Sequence, residues 1–236
     1  PIANSFVLQG ELRFHKVSVM RVHIFSTFLS SLGALRTALL SLMISLSVPN
    51  RLPAQRFLWA QGAGGSGEDV GNQCAISAGG EIYVVGQFSS TARFGDTNLV
   101  SAGDTDLFLA KYSAAGQCLW VKQAGGVQAD KGNAICISKT GEIYITGSFE
   151  GAALFDGVAV SGAGLQLFVA KYDPAGAIIW VKNSVGGVGQ SIAADHQGDI
   201  VVSGFQGAWF AERRIYTAKY NRSEEHTSEL QSLAYL

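Results

Sequence analysis

One template recurs along this chain, and it constrains the fold more than any other feature. FLWAQGAGG at 57–65, CLWVKQAGG at 118–126 and IIWVKNSVGG at 178–187 place Trp59, Trp120 and Trp180 at intervals of 120 − 59 = 61 and 180 − 120 = 60. GEIYVVG at 80–86 returns as GEIYITG at 141–147, and FLAKY at 108–112 as FVAKY at 168–172. A fixed period of this size signals a stacked or radial array, in which each copy buries its apolar surface only against a neighbour. It specifies a construction and says little about chemistry.

Within a period the apolar pattern is that of strands. EIYVV (81–85), EIYIT (142–146) and DIVVS (199–203) are short β-branched and aromatic runs between glycines, as expected for strands buried on both faces. In LFLAKY (107–112), LFVAKY (167–172) and IYTAKY (215–220), alternation puts Phe108, Ala110 and Tyr112 on one face and Lys111 on the other. SAAGQ (113–117) and DPAGA (173–177) follow. There Pro174 presets φ and Gly176 can take a positive φ, so the flanking strands should form an antiparallel hairpin. The expected count is four strands per period, near 74–77, 81–88, 107–112 and 119–123, with an irregular segment between the second and third. Four antiparallel strands per repeat is the composition of a propeller blade. The expected fold class is therefore all-β, an incomplete β-propeller of four-stranded antiparallel blades, with Trp and Phe at matching positions supplying the area between blades.

The combination AKYxxxGxxxWVK followed by GG, then GEIYxxG with Phe two residues on, resembles the bacterial β-propeller repeat abbreviated SBBP, over about residues 57–221. That resemblance implies an exported protein. The third copy departs from the pattern: Gly204 to Ala218 spans 14 residues where Gly147 to Ala170 spans 23. It carries Arg213 and Arg214 where the others have DTD and LQ, and its blade is expected to lack the excursion. Trp59 has no AKY strand before it. In a closed ring the first strand commonly completes the last blade, so 57–61 is expected to pair with an AKY strand encoded beyond Asn221. The visible repeats cover about 165 residues and four blades would need roughly 240, which makes this chain the opening arc of a larger ring.

The two ends read differently from the repeats. Met20 is the first Met; Arg21, His23 and Arg36 precede the apolar run ALLSLMISLSV at 38–48, and PNRLPAQ follows. A short apolar run behind basic residues fits a secretory signal cleaved near Ala54, the alternative being a buried helix. At the other end, RSEEHTSELQS at 222–232 is similar to the translation of a common short-read sequencing adapter, the alternative being a natural acidic helix. His226 and its neighbouring Glu residues are accordingly not taken as a metal or acid/base cluster. The resulting division is 1–19 translation upstream of the start, 20–54 signal peptide, 55–221 repeats and 222–236 adapter-derived sequence.

A net charge of −1 and a pI near 6.5 give no electrostatic case for nucleic acid. No run of 18 or more apolar residues indicates a membrane span. Cys74, Cys118 and Cys136 lack CxxC spacing and are expected to be small buried residues, with one disulfide open if the chain is exported. Gly62–Gly67 satisfies G-x-G-x-x-G, but that fingerprint needs a helix after it, whereas EDVGNQCAIS and a strand follow here. Asp69, Asp96, Asp104, Asp106 and Asp130 form no calcium-loop spacing and read as turn and cap residues. His196 lies in a turn before a strand. Lys111, Lys171 and Lys219 recur at one position, as do Lys122 and Lys182, which argues for a structural role such as a strand-face or edge charge. The G-x-x-x-W element at 116–120 and 176–180 also resembles blades of quinoprotein dehydrogenases, without their cofactor constellation. No catalytic, cofactor-binding or metal residue, and no cofactor, is therefore expected. The reading is a secreted or cell-surface, non-catalytic binding or adhesion scaffold for an unknown protein or glycan. The alternative is the propeller portion of a secreted hydrolase, lyase or quinoprotein-like dehydrogenase whose active site lies elsewhere.

Overall fold

Glycine-bounded β-branched runs become strands throughout residues 58–207 and 213–221, the part of the chain described by the computed structural model. The segments expected to be upstream translation, signal peptide and adapter-derived tail lie outside the described residues. No described residue is helical, and every strand pairing is antiparallel.

After a two-residue strand β1 (Gly64–Gly65), β2 (Asp69–Ile76), β3 (Ile82–Phe94), β4 (Thr97–Tyr112) and β5 (Cys118–Gly125) pair in sequence as a first module. A second follows as β6 (Lys131–Ile137), β7 (Ile143–Phe155), β8 (Val158–Tyr172) and β9 (Ile178–Val185). The third consists of β10 (Gly187–Ala194), β11 (Ile200–Gln206) and β12 (Arg214–Tyr220). Register is the same in each: Val84 pairs with Ala110, Ile145 with Ala170 and Val202 with Ala218. The hairpins at 113–117 and 173–177 form as expected, closed by Gly116 N donating to Ser113 O at 2.9 Å and Gly176 N to Asp173 O at 3.0 Å. Gly116 and Gly176 have φ of 84° and 89°, the region that a side chain makes costly.

The expected irregular segment between the second and third strands is instead an extension of the hairpin. β3 and β4 pair from Ile82↔Tyr112 outward to Phe94↔Thr97, interrupted only by a bulge at Ser90, whose φ is 60°. Ala92 and Phe94 point inward beyond the bulge and are buried with Phe88 and Phe108. Apolar burial on one side therefore sustains pairing through a stretch whose other side is polar. The extension of the second module pairs with the end of the preceding Trp strand, Leu154↔Gly125 and Phe155↔Ala124, as Arg93 and Ala92 pair with Gly64 and Gly65. This joins the first two modules into one nine-stranded sheet. The third module has no long extension from β11, as its shorter sequence led us to expect, and forms a separate three-stranded sheet.

Each module has two apolar faces. Tyr83, Val85, Leu107 and Leu109 of the first pack on Ile143, Ile145, Phe155 and Phe168 of the second. Tyr144, Leu167 and Val169 of the second pack on Ile192, Val202 and Tyr216 of the third. Burying one such side chain contributes about 1.5–3 kcal/mol, so these inter-module clusters supply most of the apolar stabilisation. Trp120 and Trp180 stand edge-on to Tyr83 and Tyr144 at 5.9 and 6.2 Å. Trp120 also lies on the next hairpin turn, where a Cβ on Gly176 would sit 3.0 Å from its ring.

Candidate functional site

The first strand of each module carries a bulge at one position, where Asn72, Asn133 and Gln190 are the extra residues. A bulge re-aims a side chain out of the ladder, and here it aims an amide at the neighbouring module. Asn72 Nδ2 donates to Gly132 O at 2.8 Å, and Asn133 Nδ2 to Gly189 O at 2.9 Å. Ile135 N donates to Gln73 Oε1 at 2.7 Å across the same joint. Along these bulges runs an open cleft of about 360 Å³ whose polar lining is Asn72, Lys131, Asn133, Ser148 and Gln190, with Phe205 at one side. The signal for it was present as GN at 71–72 and 132–133 and GQ at 189–190, a recurrence the sequence reading left unused.

Next to Lys131 in the chain lies a carboxyl clasp, formed by the buried Asp130 and repeated in the first module by the half-buried Asp69. Asp130 Oδ2 accepts from Gly126 N at 2.6 Å and its Oδ1 from Glu150 N at 3.3 Å, and Asp69 Oδ2 likewise accepts from Gly65 N at 2.7 Å. Asp130 is 0% exposed. Burial, with Asp106 and Glu150 nearby, pushes its carboxyl up to about 7 against the backbone donors that favour the anion. Asp106 is also raised by burial, although Ala102 N and the Gln123 amide donate to it at 3.1 and 2.6 Å. In the second module Gln166 takes that position and accepts from Asn183 Nδ2 at 3.2 Å. An uncharged amide does the same work, so the position requires an acceptor and no charge.

Of the recurring lysines, Lys219 lies on β12, the edge strand of its sheet among the described residues, and the other two do not lie on an edge. Lys111 and Lys171 lie on interior strands, bridge to Glu81 at 2.7 Å and Glu142 at 3.0 Å, and sit over Tyr83 and Tyr144 at 5.3 and 5.5 Å. Lys219 keeps only the ion pair, with Asp195 at 2.8 Å and Asp199 at 3.0 Å, and stands opposite Val201 where the other two have a tyrosine. The Thr140 hydroxyl, then Ser138 and Lys171, hold Glu142 down at about 2 despite partial burial. Among the other singled-out residues, Asp96 pairs with Arg93 at 3.6 Å at the hairpin tip, Asp104 N donates to Val127 O at 3.3 Å, and His196 is exposed in its turn. Gly62–Gly67 passes over the first hairpin extension, where Gly64 and Gly65 pair with it.

The three cysteines are free, and the expectation of burial fails for Cys74, which is exposed on the uncovered face of the first module. Cys118 and Cys136 are half-buried, and burial pushes Cys136 up to about 12. Among the described residues no group of three His, Cys, Asp or Glu side chains could hold a metal ion, and no helix is long and apolar enough to cross a membrane.

No family model matches the chain, and no curated protein matches it either. What the site can do rests on its own chemistry. The cleft offers amides, one ammonium and a hydroxyl, which donate hydrogen bonds to hydroxyl or carbonyl oxygens.

Proposed function

We propose that each module is a β-propeller blade of the SBBP kind, and that the protein is an exported, non-catalytic scaffold that binds or adheres to a protein or glycan. The observation that carries this is the use of polar groups. Those that recur at each joint are spent on joining modules, and those left over, Lys131, Ser148 and Gln190, line a solvent-open cleft. The most perturbed carboxyl, Asp130, is sealed inside a clasp where no substrate reaches it. In a propeller the first strands would line the central channel, which puts the cleft where ligands have convergent access.

The test is retention of the full chain on immobilised neutral polysaccharide, acidic polysaccharide and extracellular-matrix protein, beside a variant carrying Lys131→Ala and Gln190→Ala. Retention on one support, lost in the folded variant, is the expected result. Equal retention of both forms, or reproducible hydrolase, lyase or dehydrogenase turnover by the chain, overturns the proposal. Export is tested separately by fusing residues 20–54 to a phosphatase active only outside the cytoplasm.

A further inference from the structure

Lys131 departs from the repeat at a position where the fold needs no charge. Two residues before each bulge, the first strand of a module pairs across to the strand behind it: Val70 with Gln87, Lys131 with Ser148 and Val188 with Phe205. The first and third modules form the same ladder with valine there. Polar groups that recur in every module hold the joints together, as Asn72 and Asn133 do. A charge present in one module alone calls for a different reason.

This ammonium is also uncompensated. Lys111, Lys171 and Lys219 are each held by a carboxylate, at 2.7, 3.0 and 2.8 Å. Lys131 is half-buried and forms no ion pair with a described residue. The polar cleft that it lines has no Asp or Glu in its described wall. Asp130, its neighbour in the chain, already accepts from Gly126 N through one oxygen and from Glu150 N through the other. Directly paired residues of an antiparallel ladder share a face, so Ser148 stands beside Lys131. Ser148 is 3% exposed and lines the same cleft, and its hydroxyl has no hydrogen-bond partner among the described residues. Polar groups this deep are normally paired. An open hydroxyl next to an unpaired ammonium therefore marks a place for an anionic acceptor.

The rest of the wall suits a sugar. Asn133 spends one N–H on Gly189 O, which fixes the amide and leaves its carbonyl oxygen unspent, and Gln190 is exposed. Amides donate and accept, as sugar hydroxyls do. The cleft volume of about 360 Å³ lies near the lower end of small-ligand sites, about 300–1,000 Å³. That is room for a short saccharide, whereas a specific protein interface takes about 800 Å² from each partner.

We infer that this cleft takes an acidic saccharide, with a carboxylate or sulfate oxyanion seated between the Lys131 ammonium and the Ser148 hydroxyl, and sugar hydroxyls on the Asn133 and Gln190 amides. The inference rests on the reading of this cleft as the ligand site, and it narrows the ligand from protein or glycan to an anionic sugar chain.

The full chain is titrated by calorimetry with a short galacturonate oligomer, its carboxyl-reduced galactose counterpart, a galactose oligomer bearing sulfate esters, and an oligoglutamate peptide. At least one acidic oligomer should bind, and the tighter of the two identifies the oxyanion. The neutral oligomer should bind about tenfold more weakly or worse. Lys131→Val installs the residue that both other modules carry, and should cost about tenfold or more in affinity while Tm holds. Lys131→Arg should keep most of the affinity, and Ser148→Ala should weaken it severalfold. Raising salt from about 0.01 to 0.15 M cuts the screening length from about 30 to 8 Å, which should weaken the parent chain more than Lys131→Val. No binding of either acidic oligomer, equal binding of the neutral one, tighter binding of the peptide, or a Lys131→Val form that binds like the parent each overturns the inference. The broader reading fails separately. A chain that neutral polysaccharide or matrix protein retains through Gln190, but that binds no acidic oligomer, keeps the scaffold and loses the acidic ligand; retention on no support removes both.

Discussion

Gly132 and Gly71 occupy the same position of the repeat, yet alanine should act on them in opposite directions. At Gly132 the added Cβ falls on Val85 Cγ2, a fully buried side chain, with Gly86 O at 3.2 Å. Overpacking of this kind costs about 1–3 kcal/mol. Removing glycine's extra freedom from the unfolded chain returns about 0.4–1 kcal/mol, which leaves a net loss of about 1–2 kcal/mol. At Gly71 the nearest contact is an ordinary 3.5 Å, so Gly71→Ala should be neutral or stabilising by up to about 1 kcal/mol. For a folded region of about 160 residues, Gly132→Ala should lower Tm by roughly 2–8 °C. Val85→Ala removes the clashing methyls and costs about 2–3 kcal/mol on its own. Adding Gly132→Ala to it should then cost almost nothing more, a coupling of about 1–2 kcal/mol in a double-mutant cycle. Thermal and urea unfolding at dilute protein measures all four forms. Equal shifts for Gly71→Ala and Gly132→Ala, or additivity within about 0.5 kcal/mol, would show that this close fit is not what holds the joint.

Asp130 should make the protein more stable in mild acid. Its folded carboxyl titrates at about 7 against about 3.9 unfolded, so between those values the native state binds the extra proton. Stability should fall as pH rises through about 4 to 7 and flatten above, by at most ~4 kcal/mol, and Asp130→Asn should remove the slope seen in urea midpoints. Below pH 4 the depressed carboxyl of Glu142, at about 2, and the lowered one of Glu81 act in the opposite sense. Their stabilisation is present above the unfolded value and is lost as pH falls, so the maximum should lie near pH 4–5. Asn133→Ala removes the 2.9 Å bond to Gly189 O at a cost of about 1 kcal/mol, and should speed amide exchange in β10 more than in β2. Gly176→Ala meets both a φ of 89° and the Trp120 ring at 3.0 Å. It should cost about 1–2 kcal/mol and change Trp fluorescence, whereas an unchanged emission would mean the ring does not sit on that turn.

The strand plan was legible wherever both faces of a strand are buried. In LFLAKY and GEIYVVG the burial leaves continuous apolar runs that only a strand between two sheets accommodates. The hairpin extension at 89–106 was not legible, because one of its faces is exposed and the left-handed Ser90 breaks the alternation before Ala92 and Phe94 resume it. Recurrence of Lys111 correctly argued for a structural role, but its partner was missed although Glu81, Glu142 and Asp199 recur with it. The joint residues Asn72 and Asn133 are visible as a repeated GN, yet their partners are carbonyls 60 and 56 residues away, a relation set by module packing. The exposure of Cys74 is a property of what covers the module, which local sequence does not encode.

The amide bond between successive bulges has a consequence for how such a chain can change. Donor and acceptor of each joint sit at adjacent positions of the same short motif, Asn72 and Asn133 donating while Gly132 and Gly189 accept. Duplicating one period of DNA therefore creates a new plug and a new receptacle together, in register, without any compensating substitution. Losing a single residue from an inner strand would mismatch both at once. The array is thereby free to lengthen or shorten by whole periods and is resistant to change by anything less.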